Sequence, residues 1–215
     1  MSDIVLRILK LSLLLILNGT LLVSGTRAEE AAPGVLIIGD SISAGFGVPI
    51  EQQWPLLLED SLRQEFPQLT VVAAAISGDT TSGGRARLPA LLEKHHPDVT
   101  VIALGGNDAL RGTPLVLVKK NIEQMIIDAQ QAGSQVILAG MQIPPNYGPA
   151  YSEGFRTIYP DLAKTYNTGL IPFLLEGIAA VDGMMQADGL HPTTEAQPLL
   201  ANIVAEAVRN AIPEK

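Results

Sequence analysis

The strongest constraint on the fold is a series of short apolar runs, each followed by turn residues and then by amphipathic sequence. The first run, Val35–Ile38, ends in Gly-Asp-Ser. Later runs of the same kind are Thr70–Ala75, Val99–Leu104, Val136–Ala139 and Leu170–Leu174. Such runs are typical of strands buried in a parallel sheet, with helices as crossovers. The sequence therefore predicts a three-layer α/β/α sandwich around a five-stranded, mainly parallel sheet. Pro172 predicts that the fifth strand lies at an edge.

Amphipathic segments with helical spacing separate these runs. Apolar residues share one face in Trp54–Phe66, Leu88–Leu92, Leu115–Ala129 and Ala196–Ala207. Thr194 and Gln197 have the spacing of a capping box at the start of the last helix. Ser41 is expected near the start of a helix, whose N-terminus favours an anion. Met141–Glu153 is the one long irregular stretch, and a loop of this length in a compact domain is typically functional.

The N-terminus has the layout of an export signal. Basic residues precede the apolar run Leu11–Leu17, and small residues follow at Gly25 and Ala28. Cleavage after either small residue fits, and Ala28 fits better. An uncleaved anchor is the alternative, but the run is short and interrupted for a membrane span. We therefore expect a signal peptide over residues 1–28, and a periplasmic or secreted domain over residues 29–215 with no stable membrane insertion.

The composition excludes several classes of function. The 215-residue chain has no cysteine, which rules out disulfides, thiolate metal sites and a cysteine nucleophile. Its formal charge of −8 argues against a nucleic-acid partner. The segment Gly39–Gly47 lacks the ending of a phosphate-binding P-loop, and no residues have metal-ligand spacing. We expect no metal and no cofactor, a small-molecule substrate, and a monomer.

Polar residues follow the first three strands and, in a parallel sheet, meet at one edge. Ser41 supplies a hydroxyl, Gly78 a backbone N–H that a substrate can approach closely, and Asn107 a side-chain amide. A serine hydrolase needs a nucleophile and donors for the developing oxyanion, and Ser41 N–H, Gly78 N–H and Asn107 match that need. Each residue by itself is more typical of a turn or a helix cap than of a catalytic site.

Among the three histidines, His191 has the setting of a general base. It follows Asp188 by three residues in a tight turn, where the carboxylate can hydrogen-bond Nδ1 and leave Nε2 for a serine. A helix-entry turn with a capping aspartate is the alternative interpretation of this pentapeptide. His95 and His96 close a helix at the other end of the sheet and are given no role.

Taken together, four segments resemble the SGNH (GDSL) hydrolase family. They are, in the family's order, Gly39-Asp40-Ser41, Gly78, Gly105-Gly106-Asn107-Asp108 and Asp188-Gly189-Leu190-His191. Three further segments are similar to its bacterial arylesterase, acyl-CoA thioesterase I and lysophospholipase group: Ala86–Leu92, Leu110-Arg111-Gly112 and Pro145–Gly148. The similarity extends over nearly the whole mature chain.

The resemblance implies a flavodoxin-like sheet and a serine hydrolase acting on carboxylic esters, thioesters or lysophospholipids. Ser41 would be the nucleophile, His191 the base and Asp188 its orienting acid, with the oxyanion hole formed by Ser41, Gly78 and Asn107. The loop after the fourth strand is expected to bind an acyl chain through Met141, Ile143, Pro145 and Tyr147. The alternative is a carbohydrate acetyl esterase of the same family.

Overall fold

A five-stranded parallel sheet lies at the centre of the computed structural model, which describes residues 34–143 and 145–212. Its strands are β1 (Gly34–Gly39), β2 (Thr70–Ala75), β3 (Val99–Ala103), β4 (Gln135–Ala139) and β5 (Gly169–Ile171). They are ordered β2-β1-β3-β4-β5, and every neighbouring pair is parallel. This order is that of flavodoxin-like doubly wound folds, so the predicted architecture is confirmed.

Helices cover both faces of the sheet. They are α1 (Trp54–Leu62), α2 (Thr81–His95), α3 (Gly106–Leu110), α4 (Leu115–Gln131), α5 (Pro149–Tyr166) and α6 (Gln197–Ala211). Helix α4 packs between α2 and α5, and α1 packs against α6. No helix in the described part of the chain is long and apolar enough to cross a membrane. The expected export signal, residues 1–28, lies outside the described residues.

Burial explains which strands are apolar throughout. Strand β3 is buried along its whole length, and β1 is buried from Val35 onward, because both have helices on each face and a strand on each side. Edge strand β2 is half-buried and contributes Val71 and Val72 to the rim of the core. The largest buried side chains are Trp54, Tyr159 and Phe155. Two of these three come from α5, a helix that the sequence pattern did not reveal.

The irregular stretch predicted over Met141–Glu153 is shorter than expected. Pro145–Tyr147 forms a 3₁₀ turn, and α5 begins at Pro149. Proline at a first helical position costs nothing, because its missing N–H would have no partner in the helix. The fifth strand also ends earlier than predicted, at Ile171, although it lies at the edge as expected.

Three predictions about the helices are wrong. The first helix ends at Leu62 rather than Phe66. Residues 41–47 form successive turns instead of a helix, so no helix dipole supports Ser41. The capping box is absent, because Gln197 is engaged elsewhere: its Oε1 accepts from the Trp54 N–H (3.1 Å) and its Nε2 donates to the Thr193 carbonyl (2.9 Å).

Candidate active site

One cavity of about 750 Å³ opens at the carboxyl edge of the sheet. Its lining includes Ser41 after β1, Gly78 after β2, Asn107 after β3, and His191 from the connection between β5 and α6. The structure thus places the predicted polar residues around one space. Within residues 34–143 and 145–212, no group of three or more His, Asp or Glu side chains is arranged to hold a metal ion.

Ser41 lies on a tight turn that directly follows β1. The carbonyl of Asp40 accepts from Ala44 N–H (2.9 Å), and that of Ser41 accepts from Phe46 N–H (3.0 Å). The Trp54 indole donates to the Ile42 carbonyl (3.0 Å), which ties this turn to α1. The turn therefore holds the Ser41 hydroxyl at the sheet edge without a helix beneath it.

His191 joins Ser41 to Asp188 through an unbroken chain of hydrogen bonds. Nε2 of His191 is 2.8 Å from Ser41 Oγ, and Nδ1 is 2.7 Å from Asp188 Oδ2. The other carboxylate oxygen, Oδ1, accepts from the N–H groups of Leu190 (2.8 Å) and His191 (3.0 Å). The hydrogen bond from His191, together with these backbone donors, lowers the pKa of Asp188 to about 2. Asp188 is therefore an anion at working pH and orients the imidazole.

Gln186 connects the histidine turn to the nucleophile turn. Its Nε2 donates to the carbonyls of Phe46 (2.7 Å) and Pro192 (2.9 Å). The Phe46 ring lies against the His191 imidazole, with ring centroids 4.5 Å apart. These contacts fix the distance between two segments that are far apart in sequence. The sequence pattern did not single out Gln186 or Phe46.

The amide of Asn107 is oriented by Asp40. Nδ2 of Asn107 donates to Asp40 Oδ2 (3.2 Å), while Asp40 Oδ1 accepts from Ile42 N–H (3.1 Å). A carboxylate only accepts, so this contact turns the NH₂ of Asn107, rather than its oxygen, toward Asp40 and leaves the second N–H for a ligand. Burial raises the pKa of Asp40 to about 6, despite the opposing contacts with Ile42, His191 and Asn107.

Gly78 has a left-handed backbone, with φ +78°, that side-chain-bearing residues rarely adopt. Arg87 fixes the strand ends beside it. This guanidinium donates to the carbonyls of Ala74 (2.7 Å) and Gly39 (3.2 Å) and pairs with Asp79 (2.9 Å). Arg87 therefore connects the turn that carries Gly78 to the end of β1, just before the turn that carries Ser41.

The sequence comparison decides the family. The GDSL-like lipase/acylhydrolase family matches residues 37–198. The chain belongs to this family. Esterase TesA of Pseudomonas aeruginosa is 47% identical over 190 residues, which cover 88% of this chain and 94% of that protein. Thioesterase 1/protease 1/lysophospholipase L1 of Escherichia coli is 40% identical over 184 residues, 86% of this chain and 87% of that protein.

A solved structure supports the same assignment. The psychrotrophic esterase EstA from Pseudoalteromonas, inhibited by monoethylphosphonate, superposes with a TM-score of 0.78 at 36% identity, covering 82% of this chain and 97% of that one. The present chain is therefore an ester hydrolase, and the arrangement of its Ser41, His191 and Asp188 side chains is consistent with the family.

The cavity of this GDSL-like hydrolase is divided by the order of the strands. Polar groups lie beyond β2, β1 and β3. Beyond β4 and β5 the lining is mainly apolar, apart from Gln142 and His191, and its apolar members include Met141, Ile143, Phe173, Leu174, Leu175, Ala179 and Ala180. Of the four predicted acyl-binding residues, Met141 and Ile143 line the cavity. Tyr147 is exposed and lies outside that lining, and Pro145 belongs to the same 3₁₀ turn.

Sequence reasoning missed the apolar contribution of residues 173–180. Their position in the sequence could have indicated this contribution, because any segment between β5 and the His191 turn has to cross the carboxyl edge of the sheet. Its lack of helical or strand periodicity hid which side chains turn inward.

Proposed function

We propose that this enzyme hydrolyses carboxylic esters and thioesters through a covalent acyl-enzyme on Ser41. The observation that carries the proposal is the chain of hydrogen bonds Asp188–His191–Ser41, with heavy-atom distances of 2.7 and 2.8 Å. A hydroxyl within this distance of a neutral imidazole nitrogen can transfer its proton as it attacks a carbonyl carbon.

In the first half-reaction, Ser41 Oγ attacks the substrate carbonyl carbon while His191 Nε2 takes the hydroxyl proton. The carbonyl oxygen gains the negative charge and receives N–H groups from Ser41, Gly78 and Asn107. The tetrahedral intermediate collapses, the bond to the leaving oxygen or sulfur breaks, and that atom takes the proton from His191. The products of this half-reaction are an acyl ester on Ser41 and a free alcohol or thiol.

In the second half-reaction, a water molecule repeats the chemistry. His191 removes a proton from the water as its oxygen attacks the acyl carbon, and the same three donors hold the oxyanion. Collapse breaks the bond to Ser41 Oγ, which regains its proton from His191. The carboxylic acid leaves, and the enzyme returns to its starting state. Asp188 stays ionised throughout, since its pKa is about 2.

The apolar half of the cavity supports an acyl chain as the group that binds there. Met141 and Ile143 from the β4 connection line the same cavity as Phe173 and Leu174 from the β5 connection. Tyr147, further along the β4 connection, is exposed and outside this lining, so we do not assign it to the acyl chain. Esters, thioesters and lysophospholipids all carry such a chain, and the names of the two relatives include all three activities. An acetylated sugar would leave this apolar lining unfilled. A carbohydrate esterase is therefore the alternative function, and a panel of acyl esters and acetylated sugars distinguishes the two.

We further propose that residues 1–28 are removed on export and that residues 29–215 work as a periplasmic monomer. The composition of the N-terminus supports the export step. All proposed catalytic groups come from one chain, so the proposed chemistry needs no second copy.

The Ser41→Ala variant tests the proposed mechanism. It should abolish hydrolysis of a p-nitrophenyl ester and leave the circular dichroism spectrum unchanged, because Ser41 is a small side chain on a surface turn. A phosphonate ester should label the wild-type protein once, at Ser41, as shown by peptide mass spectrometry. Substantial activity in the variant, or labelling of another serine, would refute the acyl-enzyme on Ser41.

A further inference from the structure

Arg111 is an isolated cation at the active-site edge. The connections that follow the five strands contain a single lysine or arginine, which is Arg111. These connections are residues 40–53, 76–80, 104–114, 140–148 and 172–196. The edge otherwise carries acidic or neutral side chains, so Arg111 has the only fixed positive charge that these connections offer to a substrate.

The guanidinium of Arg111 retains free donors. Nη2 donates to the Gly78 carbonyl (3.0 Å), on the exposed side of the Gly78 turn. Among the residues that the structure describes, no carboxylate forms an ion pair with Arg111, in contrast to Arg63, Arg87, Arg156 and Arg209. An arginine has five N–H donors, so most of its hydrogen-bonding capacity faces solvent.

This position is close to the reacting atoms. Arg111 directly follows Leu110, which lines the cavity, and its guanidinium contacts Gly78, a proposed oxyanion donor. A donor N–H lies about 3 Å from the oxyanion, and one residue spans less than about 4 Å. The guanidinium is therefore at most about 10 Å from the scissile carbonyl oxygen.

The division of the cavity indicates which part of the substrate meets Arg111. The acyl chain fits the apolar half beyond β4 and β5. The leaving group then lies away from that half, on the polar side of the cavity, where Arg111 contacts the turn that carries Gly78. A substrate charge that Arg111 binds therefore belongs to the leaving group, and only a few bonds separate it from the ester.

We propose that Arg111 is a specificity-determining residue that binds a phosphate on the leaving group, as in the glycerophosphate of a lysophospholipid. The proposal rests on the proposed function and adds the chemistry that this site selects. A glycerol spacer brings a phosphate within reach of the guanidinium. The long pantetheine arm of coenzyme A carries its phosphates well beyond it. Arginine suits this task because its planar fork pairs with two phosphate oxygens at once.

The test compares matched substrates in the wild type and in Arg111→Met. One pair is decanoyl-glycerol phosphate and monodecanoylglycerol, which share the acyl chain and the ester but differ in the phosphate. The second pair is decanoyl-coenzyme A and the neutral decanoyl thioester of N-acetylcysteamine. Arg85→Met makes the same change of charge on an exposed arginine of α2 and serves as the control variant.

Arg111→Met should lower kcat/KM for decanoyl-glycerol phosphate by about 5-fold, mainly through KM, because one exposed charge-assisted contact is lost. It should change kcat/KM for monodecanoylglycerol and for both thioesters less than about 2-fold. Arg111→Lys should retain part of the preference. In the wild type, added salt should weaken the preference for the phosphate ester, because an exposed ion pair is screened.

Two outcomes would overturn the proposal. An equal loss for the phosphate ester and its neutral partner would mean that Arg111 acts by positioning Gly78. A loss confined to decanoyl-coenzyme A would assign the contact to the phosphates of that cofactor rather than to a short leaving group. Ser41→Ala separates failure of this inference from failure of the proposed function, because it should abolish hydrolysis of all four substrates whichever role Arg111 has.

Discussion

Replacing Asp40 with asparagine should make the protein more stable at neutral pH and less active. Asp40 is only 2% exposed, and burial raises the pKa of its carboxyl group from 3.8 to about 6. The Ile42 N–H, the charge of His191 and the Asn107 amide partly oppose this rise. Asp40 thus remains costly to ionise, although it is well hydrogen-bonded.

The sign of the effect follows from the two ionisation states. Below pH 3.8, Asp40 is protonated in both the folded and the unfolded chain, and its burial carries no charge penalty. Between pH 3.8 and about 6, only the unfolded chain ionises, so the free energy of unfolding falls as the pH rises. Above pH 6 the full penalty is present. At 1.36 kcal/mol per pKa unit, it amounts to about 3 kcal/mol.

Urea denaturation at about pH 4 and about pH 7.5 measures this penalty. The difference in unfolding free energy between Asp40→Asn and wild type should shift in favour of the variant by about 2.4 kcal/mol over that interval, because part of the penalty is already present at about pH 4. Asp60→Asn, an exposed substitution on α1, is the control. A difference that does not change with pH would refute the reasoning, because a packing defect has no reason to titrate.

The same variant should lose activity. An asparagine at position 40 presents an NH₂ group, and the amide of Asn107 then has to turn its oxygen toward it. The N–H that served the oxyanion would no longer point at the substrate. We expect kcat to fall by about 10²–10³-fold, the cost of one oxyanion donor, while KM changes less.

Two further predictions concern the oxyanion and acyl-binding groups. Asn107→Ala should lower kcat by about 10²–10³-fold in steady-state assays with one p-nitrophenyl ester, because one oxyanion donor is lost. A normal kcat together with reduced thermal stability would instead assign Asn107 a structural role. In the wild type, kcat/KM should rise from acetyl to medium-chain p-nitrophenyl esters, by at most about 0.8 kcal/mol per methylene. Ile143→Ala should flatten this rise, because Ile143 lines the cavity. Tyr147→Ala should leave the rise unchanged, because Tyr147 lies outside the cavity lining. Acetyl esters as the best substrates would contradict the acyl pocket and favour the carbohydrate esterase.

The polar half of the site was predictable because it depends on short segments and one topological rule. Three turns follow three adjacent parallel strands, and parallel strands end at the same edge. The Asp188–His191 pair is local in sequence and needs no knowledge of the fold. The prediction that failed there was the helix after β1, since residues 41–47 form turns that are held by their own backbone hydrogen bonds.

Helix α5 was less accessible to sequence reasoning. Helix α5 contains Pro149, Gly154 and Pro160, a composition that predicts a loop. Its buried face, including Phe155 and Tyr159, outweighs those local preferences through tertiary packing. The Tyr159 hydroxyl also donates to the Leu104 carbonyl (2.9 Å), a contact between segments far apart in the chain.

The order of the strands explains why cleavage and selection are separated within one cavity. Strands β2, β1 and β3 are contiguous, so the groups that follow them converge on one carbonyl. Strand β4 is the second neighbour of β1 and β5 the third, at about 4.8 Å per strand. Asp188 and His191 return to Ser41 from the connection after β5, whereas Ile143 and residues 173–180 line the apolar part of the cavity. Substitutions there, as at Ile143, should change which acyl chain is accepted, whereas substitutions beyond β1 and β3 change whether it is cleaved.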